Sequence, residues 1–265
     1  MDGRQRVVIH AGFHKTGTTT AQQTLHANGP VLWPVMALGL RWRLKPVLHA
    51  ARAFSTLRDD LSLIEFTARF DEYLDDLDIG NRGLLIASEE LCGHLPGRGD
   101  IADYAAAPVL MRRMADVLER RFGDVLDLAF LFTLRRPSDW LESAWAEHVK
   151  SSRMTLDFEA FRARLAPAAD LPGTADRIRA AVAPHPVETA WIEDTADTAL
   201  GPVTPLLDLM RLAPERRARI IPQPRANTRL PAAVLAEMLE INRCAPNADD
   251  AKAAKAALVS RAGMA

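Results

Sequence analysis

The sequence predicts an α/β fold, a three-layer sandwich in which helices cover both faces of a central parallel sheet. Short apolar runs alternate along the chain with segments of helical periodicity, which is the pattern of parallel strands joined by crossover helices. The run from Leu126 to Leu134 is apolar almost throughout, as expected of a strand buried on both faces. A glycine-rich loop links the first apolar run to the first helical segment, a connection that such sheets commonly contain.

The length and composition suit one globular unit. With 265 residues, 48% of them hydrophobic and 25% charged, the chain can bury a full core. We expect a single domain over 1–265, with a helical insertion over roughly 31–80 and a helical C-terminal part over roughly 203–265. No apolar run approaches the length of a membrane span, so we expect a soluble, cytoplasmic protein without stable membrane insertion. The net charge of −1 argues against a nucleic-acid binder.

The first elements follow from apolar patterning and helix stops. The run "RVVIHAG" predicts a strand from Arg6 to Gly12, and the residues after the loop predict a helix from Thr18 to about Asn28. Gly29-Pro30 should end this helix. Residues 31–58 are harder to assign, and we expect short helices or an insertion over the active site. The next helix is indicated by apolar residues at helical spacing, namely Leu63, Phe66, Phe70, Leu74 and Leu77.

The remaining elements alternate between strand and helix. "GLLIASEEL" predicts a buried strand from Leu84 to Ala87, and residues 105–122 predict a helix ended by Gly123. "RPSDWLESAWAEHVK" reads as a helix with Pro137 in its first turn. "VETAWIED" predicts another strand, and two later Pro-containing dipeptides, Thr204-Pro205 and Leu230-Pro231, look like helix starts.

Polar side chains follow three of the predicted strands. Because ligands of parallel sheets lie beyond the carboxyl ends of the strands, we expect these residues to meet at one crevice. They are His14-Lys15-Thr16, Ser88-Glu89-Glu90 and Arg135-Arg136. The segment from Gly3 to Arg58 carries eight Lys or Arg and no Asp or Glu, which favours a local anionic ligand. A solvated basic face is the alternative.

The loop "GFHKTGTTT" has the glycine spacing of a phosphate-binding Walker A loop, but its lysine stands elsewhere. Gly12 and Gly17 match the two glycines, Thr18 occupies the usual lysine position, and Lys15 lies between the glycines. Glycines permit tight turns, and the backbone N–H groups at a helix start can hold a phosphate. The strand before the loop and the helix after it therefore predict a phosphate site.

A second cluster, "LRRPSDWLESAW", lies about 120 residues further on. Arg135 ends a strand, Pro137 fixes the turn, and Ser143 lies two turns into the following helix. An arginine fork with a hydroxyl suits a second phosphate. Taken alone, the arginine pair would fit a structural salt bridge equally well.

Together these motifs resemble those of PAPS-dependent sulfotransferases. "HKTGTT" resembles their 5′-phosphosulfate loop, and "RRPSDWLESAW" resembles their 3′-phosphate motif, with tryptophan at Trp145 where the family usually has tyrosine. Bacterial members with a P-loop fold are the most similar, because they open with a segment like "HAGFHKTGTT" and carry "SEEL" at a strand end.

The resemblance implies PAPS (3′-phosphoadenosine 5′-phosphosulfate) as donor, PAP (the 3′,5′-bisphosphate) as product, and no metal. It implies that the 5′-phosphate is held by Lys15, Thr16, Gly17, Thr18 and Thr19. Arg135 and Ser143 would bind the 3′-phosphate, and the resemblance adds Arg225, in a late basic segment, to this group.

The resemblance also implies the catalytic roles. Lys15 would neutralise the charge of the leaving phosphate. The acceptor needs a general base, for which Glu89 is the first candidate, and Glu90 and His14 are alternatives. The acceptor is a hydroxyl or amine of a small molecule, lipid or glycan; the sequence does not separate these, and it does not give the oligomeric state.

Two other function classes compete. A P-loop ATP- or GTP-dependent kinase would need a lysine after Gly17 and an acidic strand end for Mg²⁺, and the chain has Thr18 and arginines instead. A non-catalytic relative that binds an anionic partner is the other alternative. Loss of Lys15 or Ser143 would have favoured it, and both are present.

Overall fold

The computed structural model describes residues 4–195, 197–224 and 230–261. Within these residues a five-stranded parallel sheet has the order β2-β3-β1-β4-β5, so β1 is central. The strands are β1 (Gln5–His10), β2 (Met36–Leu40), β3 (Gly83–Ala87), β4 (Leu126–Leu134) and β5 (Val187–Trp191).

Helices connect and cover the strands. They are α1 (Thr18–Ala27), α2 (Gly29–Leu32), α3 (Lys45–Leu57), α4 (Asp60–Asp75), α5 (Ala107–Phe122), α6 (Pro137–Ser151), α7 (Phe158–Leu165), α8 (Leu171–Val182), α9 (Ile192–Thr195), α10 (Thr204–Leu209), α11 (Pro214–Arg217), α12 (Ala232–Cys244) and α13 (Ala248–Arg261). Short 3₁₀ turns include Arg41–Arg43 after β2 and Glu89–Cys92 after β3.

The sheet separates two apolar cores. Val7 and Ile9 of β1 face one core and Val8 faces the other, because alternate side chains of a strand point to opposite faces. The larger core packs the sheet against helices α3 to α8, and the smaller packs it against α1, α2 and α10. The predicted three-layer α/β sandwich is therefore confirmed.

The expected helical insertion over roughly 31–80 needs one correction. The segment contains α3 and α4, but it also contains β2, which pairs with β3 at the edge of the sheet. All five residues of β2 are buried. A short apolar run without polar alternation gives no periodicity that would separate a strand from a buried helical turn.

Most other elements lie where the sequence places them. β4 spans Leu126–Leu134, as predicted, and α1 begins at Thr18. α1 ends at Ala27, as predicted, and a separate short helix, α2, starts at Gly29 after the break at Asn28. Proline is tolerated in the first turn of a helix, which explains the restart.

The last two helices support the C-terminal end of α6. Val149 of α6 packs in a third apolar cluster with Leu235, Met238 and Leu258. Lys255 of α13 is 7% exposed, and its Nζ donates to the carbonyls of Val149 at 3.0 Å and Ser152 at 2.7 Å. A cation at this position satisfies carbonyls that a helix end leaves without a partner.

None of the helices in the described ranges combines the length and the apolar character needed to cross a bilayer.

Candidate functional site

The loop after β1 has an unusual backbone. Gly12, Lys15 and Gly17 have φ values of 48°, 67° and 89°, all in the left-handed region. Glycine adopts this region freely, but for lysine it costs about 1–2 kcal/mol. Strain of this kind persists only where the surroundings impose it, and it is often found at ligand sites.

The neighbours of the loop hold it closely. A side chain on Gly12 would meet the Thr18 methyl at 2.7 Å, and one on Gly17 would meet Ile192 at 2.8 Å. Gly17 also caps α1, which has no side-chain cap and no acidic residue in its first turn. The first N–H groups of α1 and the positive end of its dipole are therefore not neutralised by a side chain of that turn.

The threonines of the loop have different roles. The Thr16 hydroxyl is fully buried, donates to the Phe13 carbonyl at 2.6 Å and lies 2.5 Å from the Thr133 hydroxyl. Because that hydroxyl is engaged inside the protein, Thr16 would reach a ligand through its backbone N–H. Thr18 is buried with its methyl toward Gly12, and Thr19 is half-buried in the first turn of α1.

Lys15 already has an anionic partner. Its Nζ lies 3.0 Å from Oε2 of Glu147 on α6. Burial raises the pKa of Glu147, but Lys15, together with Lys150 and Ser151, lowers it by more, so the carboxyl stays ionised. The ammonium is therefore oriented within the loop region by a carboxylate that an anionic ligand would have to compete with.

Tyr104 orients His14. The Tyr104 hydroxyl accepts from the His14 backbone N–H at 3.2 Å and lies 3.1 Å from His14 Nδ1. Burial raises the pKa of Tyr104 well above its ordinary value, so the hydroxyl keeps its proton. The Trp140 indole N–H donates to the His14 carbonyl at 2.9 Å and holds the same residue from the other side.

These contacts favour one tautomer of His14. Donation of the Tyr104 proton to Nδ1 completes the hydrogen bonds of this hydroxyl and leaves the ring proton on Nε2. Burial lowers the pKa of His14 to about 3, so the ring is neutral at physiological pH. A neutral ring with a proton on Nε2 is a hydrogen-bond donor, which suits contact with an anionic oxygen better than proton abstraction.

The two glutamates after β3 differ in their partners. Glu90 is held by both oxygens, with Arg41 at 3.1 Å and Arg52 at 2.7 Å. Glu89 accepts one hydrogen bond through Oε2, from the side-chain amide of Gln22 at 2.9 Å. Of the two, the geometry favours Glu89 as a proton acceptor, because its carboxylate is not neutralised by two guanidinium groups.

Arg135 and Ser143 lie on the other side of β1. Arg135 Nη1 donates to the Lys15 carbonyl at 2.9 Å, which links the end of β4 directly to the loop. Ser143 is half-buried on α6, one turn before Glu147. Arg225, the third residue expected to bind a 3′-phosphate, lies outside the described residues.

A small cavity opens at the ends of β4 and β5. Its volume is about 340 Å³, and Arg136, Trp191, Glu193 and Asp194 line it. The Glu193 carboxylate accepts from the Arg136 backbone N–H at 2.9 Å. Because Ile192 contacts Gly17, this cavity adjoins the phosphate loop.

Two polar side chains beneath the loop have no hydrogen-bond partner among the described residues. His10 and Ser88 are both 1% exposed, and neither the His10 ring nitrogens nor the Ser88 hydroxyl is paired. The ring of His10 lies under Gly12. Burial lowers its pKa to about 4, so it is neutral.

Three residues of this site could not be identified from the sequence motifs: Glu147, Tyr104 and Gln22. Glu147 follows Ser143 by four residues, and this helical spacing is a signal that could have placed it on the same face. Gln22 likewise follows Thr18 by four residues on α1. Tyr104 lies in a segment without any motif, and only the tertiary structure places it beside His14.

The site therefore joins a strained loop at a helix start, a lysine, an arginine and a hydroxyl on one side of β1, and carboxylates on the other side. The loop and the start of α1 offer an anion backbone N–H groups and the Lys15 ammonium, and the carboxylates after β3 lie across β1 from Arg135. Within the described ranges, no group of three His, Cys, Asp or Glu side chains is close enough to share a metal ion.

The chain matches no protein-family model and no curated protein. Among solved structures it is similar to a sulfotransferase from Alicyclobacillus acidocaldarius, with 17% sequence identity and a TM-score of 0.49. The alignment covers 95% of this chain and 96% of that one. A similarity this distant does not indicate what the chain acts on, and the fold stated above rests on strand order and packing.

Proposed function

We propose that this protein is a sulfotransferase that moves a sulfuryl group from PAPS to a hydroxyl or amine of an acceptor. The observation that carries the proposal is the hydrogen bond from the Arg135 guanidinium to the Lys15 carbonyl. It joins two motifs 120 residues apart into one site, with a lysine loop on one side and an arginine and a serine on the other. A donor with a phosphosulfate and a 3′-phosphate matches both halves.

The reaction would proceed by in-line displacement. The acceptor oxygen or nitrogen bonds to sulfur, the bond from sulfur to the bridging phosphate oxygen breaks, and PAP leaves with the electron pair. The acceptor proton passes to Glu89 and then to solvent. Catalysis of this kind rests on positioning and on stabilising charge as it develops.

The residues divide these tasks. Lys15 would stabilise the negative charge that develops on the leaving phosphate, while the N–H groups of the loop and α1 hold that phosphate. His14, with its proton on Nε2, would donate to an oxygen of the transferred group. The Glu147 carboxylate holds the Lys15 ammonium in the loop region before the donor binds.

Direct binding tests the proposal. Calorimetry should show that PAP binds without Mg²⁺ and more tightly than AMP, which lacks the 3′-phosphate. Ser143→Ala should weaken PAP binding by about 10- to 100-fold, as expected for the loss of a hydrogen bond to a charged group, and leave AMP binding unchanged. Ser138→Ala, an exposed serine of the same helix, is the control.

Two results would contradict the proposal. Tight binding of ATP–Mg²⁺ without binding of PAP would assign the loop to a kinase. Binding of PAP without transfer from labelled PAPS to any acceptor in a broad panel would favour a non-catalytic binder.

A further inference from the structure

A row of basic residues lies on the β2 side of the site. We call it the basic strip, and it consists of Arg41, Trp42, Arg43, Lys45, His49 and Arg52. Arg41 to Arg43 form the turn after β2, and Lys45, His49 and Arg52 recur on one face of α3. All but the partly buried Arg52 are exposed. Trp42 is 46% exposed and its ring contacts the edge of His26.

The strip adjoins the candidate base. Leu40, Ala87 and His10 are in register across β2, β3 and β1, so the ends of these strands lie side by side. Two strand spacings place the strip about 10 Å from the loop. Arg41 and Arg52 both bind Glu90, the residue next to Glu89.

The strip and the donor residues flank β1 from opposite sides. Arg135 and Ser143 follow β4, whereas the strip follows β2 and the glutamates follow β3. In-line transfer needs the acceptor to approach opposite the leaving group. The strip is therefore placed for the acceptor and not for the phosphates of the donor.

The charge of the strip is only partly compensated. Glu90 neutralises part of the charge of Arg41 and Arg52, while Arg43 and Lys45 form no ion pair with any residue in the described part of the chain. The strip thus keeps a net positive charge beside an exposed tryptophan. Anionic groups fit the cations, and the face of a sugar ring fits an indole.

A second cavity lies at the end of the basic strip on α3. One turn beyond Arg52, Ser55 and Thr56 line a cavity of about 500 Å³. Its charged side chains balance, with Arg58 and Arg98 against Asp100 and Asp103, and His94 also lines it. Burial and the charges of Arg98 and Arg52 lower the pKa of His94 more than Glu90 raises it, which favours the neutral ring.

The shape and chemistry point to an extended ligand. From Lys45 to Thr56 the helix rises about 16 Å, at 1.5 Å per residue. Cations recur along this length, and hydroxyl and carboxylate groups that bind sugar hydroxyls lie at its end. An anionic lipid surface would bind only the cations and would make no contacts inside the polar, charge-balanced cavity.

We propose that the basic strip binds the acceptor, and that the acceptor is a chain-like, hydroxylated anion of the acidic oligosaccharide class. The proposal rests on the proposed function for its chemistry, but the binding itself does not require the donor. Anionic groups of the chain bind Arg43 and Lys45, a ring stacks on Trp42, and one hydroxyl lies at Glu89.

Binding to defined saccharides tests this surface. The probes are oligogalacturonate and dextran sulfate, with neutral dextran and phosphatidylserine vesicles for comparison, measured by calorimetry and tryptophan fluorescence. We expect saturable binding of at least one anionic saccharide that weakens with salt, and no binding of neutral dextran. The double variant Arg43→Glu/Lys45→Glu should lose about tenfold or more in affinity, and Trp42→Ala should lose the fluorescence change.

The control is Arg113→Glu/Lys252→Glu, which changes two exposed residues of α5 and α13 by the same charge. An equal loss in the control, binding of the vesicles alone, or no binding of either anionic saccharide would overturn the proposal. PAP affinity is measured in every variant and should not change. If PAP fails to bind while the saccharide binds, the donor assignment fails and the strip assignment stands.

Discussion

The Nζ atom of Lys15 lies 3.0 Å from Oε2 of Glu147, so the lysine of the phosphate loop is neutralised by a carboxylate of α6. An anionic donor must share or displace this partner. The pair is partly exposed, with 22% and 33% of the two side chains accessible, which makes such a rearrangement inexpensive in free energy.

Replacement of Glu147 should strengthen donor binding. In Glu147→Gln the ammonium no longer has a competing anion, so we expect PAP to bind about 3- to 10-fold more tightly by calorimetry. Asp139→Asn, on the same helix, should leave the affinity unchanged. Weaker binding in Glu147→Gln would mean that Glu147 positions Lys15 for the ligand.

Lys15 itself should matter more for transfer than for binding. Lys15→Ala should lower the rate of transfer from labelled PAPS by about 10²- to 10³-fold, because the charge on the leaving phosphate develops in the transition state. Single-turnover assays measure this step, with Lys150→Ala as the control. Full transfer activity in Lys15→Ala would contradict the role proposed for the lysine.

The two glutamates after β3 should separate in function. Glu89→Gln removes the candidate base and should lower the transfer rate by about 10²- to 10⁴-fold, with little change in thermal stability. Glu90→Gln leaves Arg41 and Arg52 without their carboxylate, so its main effect should be a lower melting temperature. The reverse pattern would make Glu90 the base.

The tautomer of His14 can be read directly. Long-range ¹H–¹⁵N NMR of the ligand-free protein should show the His14 proton on Nε2. Tyr104→Phe removes the donor to Nδ1 and should give a mixture of tautomers, with a transfer rate lowered by about tenfold and unchanged PAP affinity. Tyr73→Phe is a suitable control, since the buried Tyr73 hydroxyl has no partner among the described residues.

His10 should make the protein sensitive to acid. Its pKa is lowered to about 4 by burial, below the ordinary value of 6.5, so the unfolded chain binds a proton more readily than the folded one. Above pH 6.5 His10 therefore does not lower the free energy of unfolding. As the pH drops toward 4, protonation of this one group in the unfolded chain lowers that free energy by about 3 kcal/mol. Urea unfolding at several pH values should show that His10→Phe loses this part of the pH dependence of the unfolding free energy. The variant His49→Gln, at an exposed histidine, should keep it.

Regularities along the chain carried the prediction of the fold and of the site's position. The apolar runs of β3 and β4 lie between helices with clear spacing, β1 precedes one, and the loop between two glycines needs only local geometry. Such features depend on residues close in sequence, which is why their boundaries agree with the structure. β2 has no such regularity, because a short strand buried throughout shows no alternation.

The partners of the site residues could not be predicted in the same way. Helical spacing could place Glu147 on the same face as Ser143, but it does not show that Glu147 pairs with Lys15. The contact of His14 with Tyr104 depends on how the segment before α5 packs against the loop, and residue spacing does not show it either. Thr16 shows the same limit, since its hydroxyl belongs to an internal contact with Thr133 that the loop motif does not reveal.

The hydrogen bonds from Lys255 of α13 to the C-terminal end of α6 connect α13 to the helix that carries two residues of the candidate site. Ser143 and Glu147 stand on a helix whose final carbonyls are held by a residue more than a hundred positions away. Loss of α13 would remove none of the site residues, but it would remove a support of α6, the helix that carries Ser143 and Glu147. A shortened form of this protein should therefore behave as an active-site variant, and a fusion at that end should be judged by its kinetics before its yield.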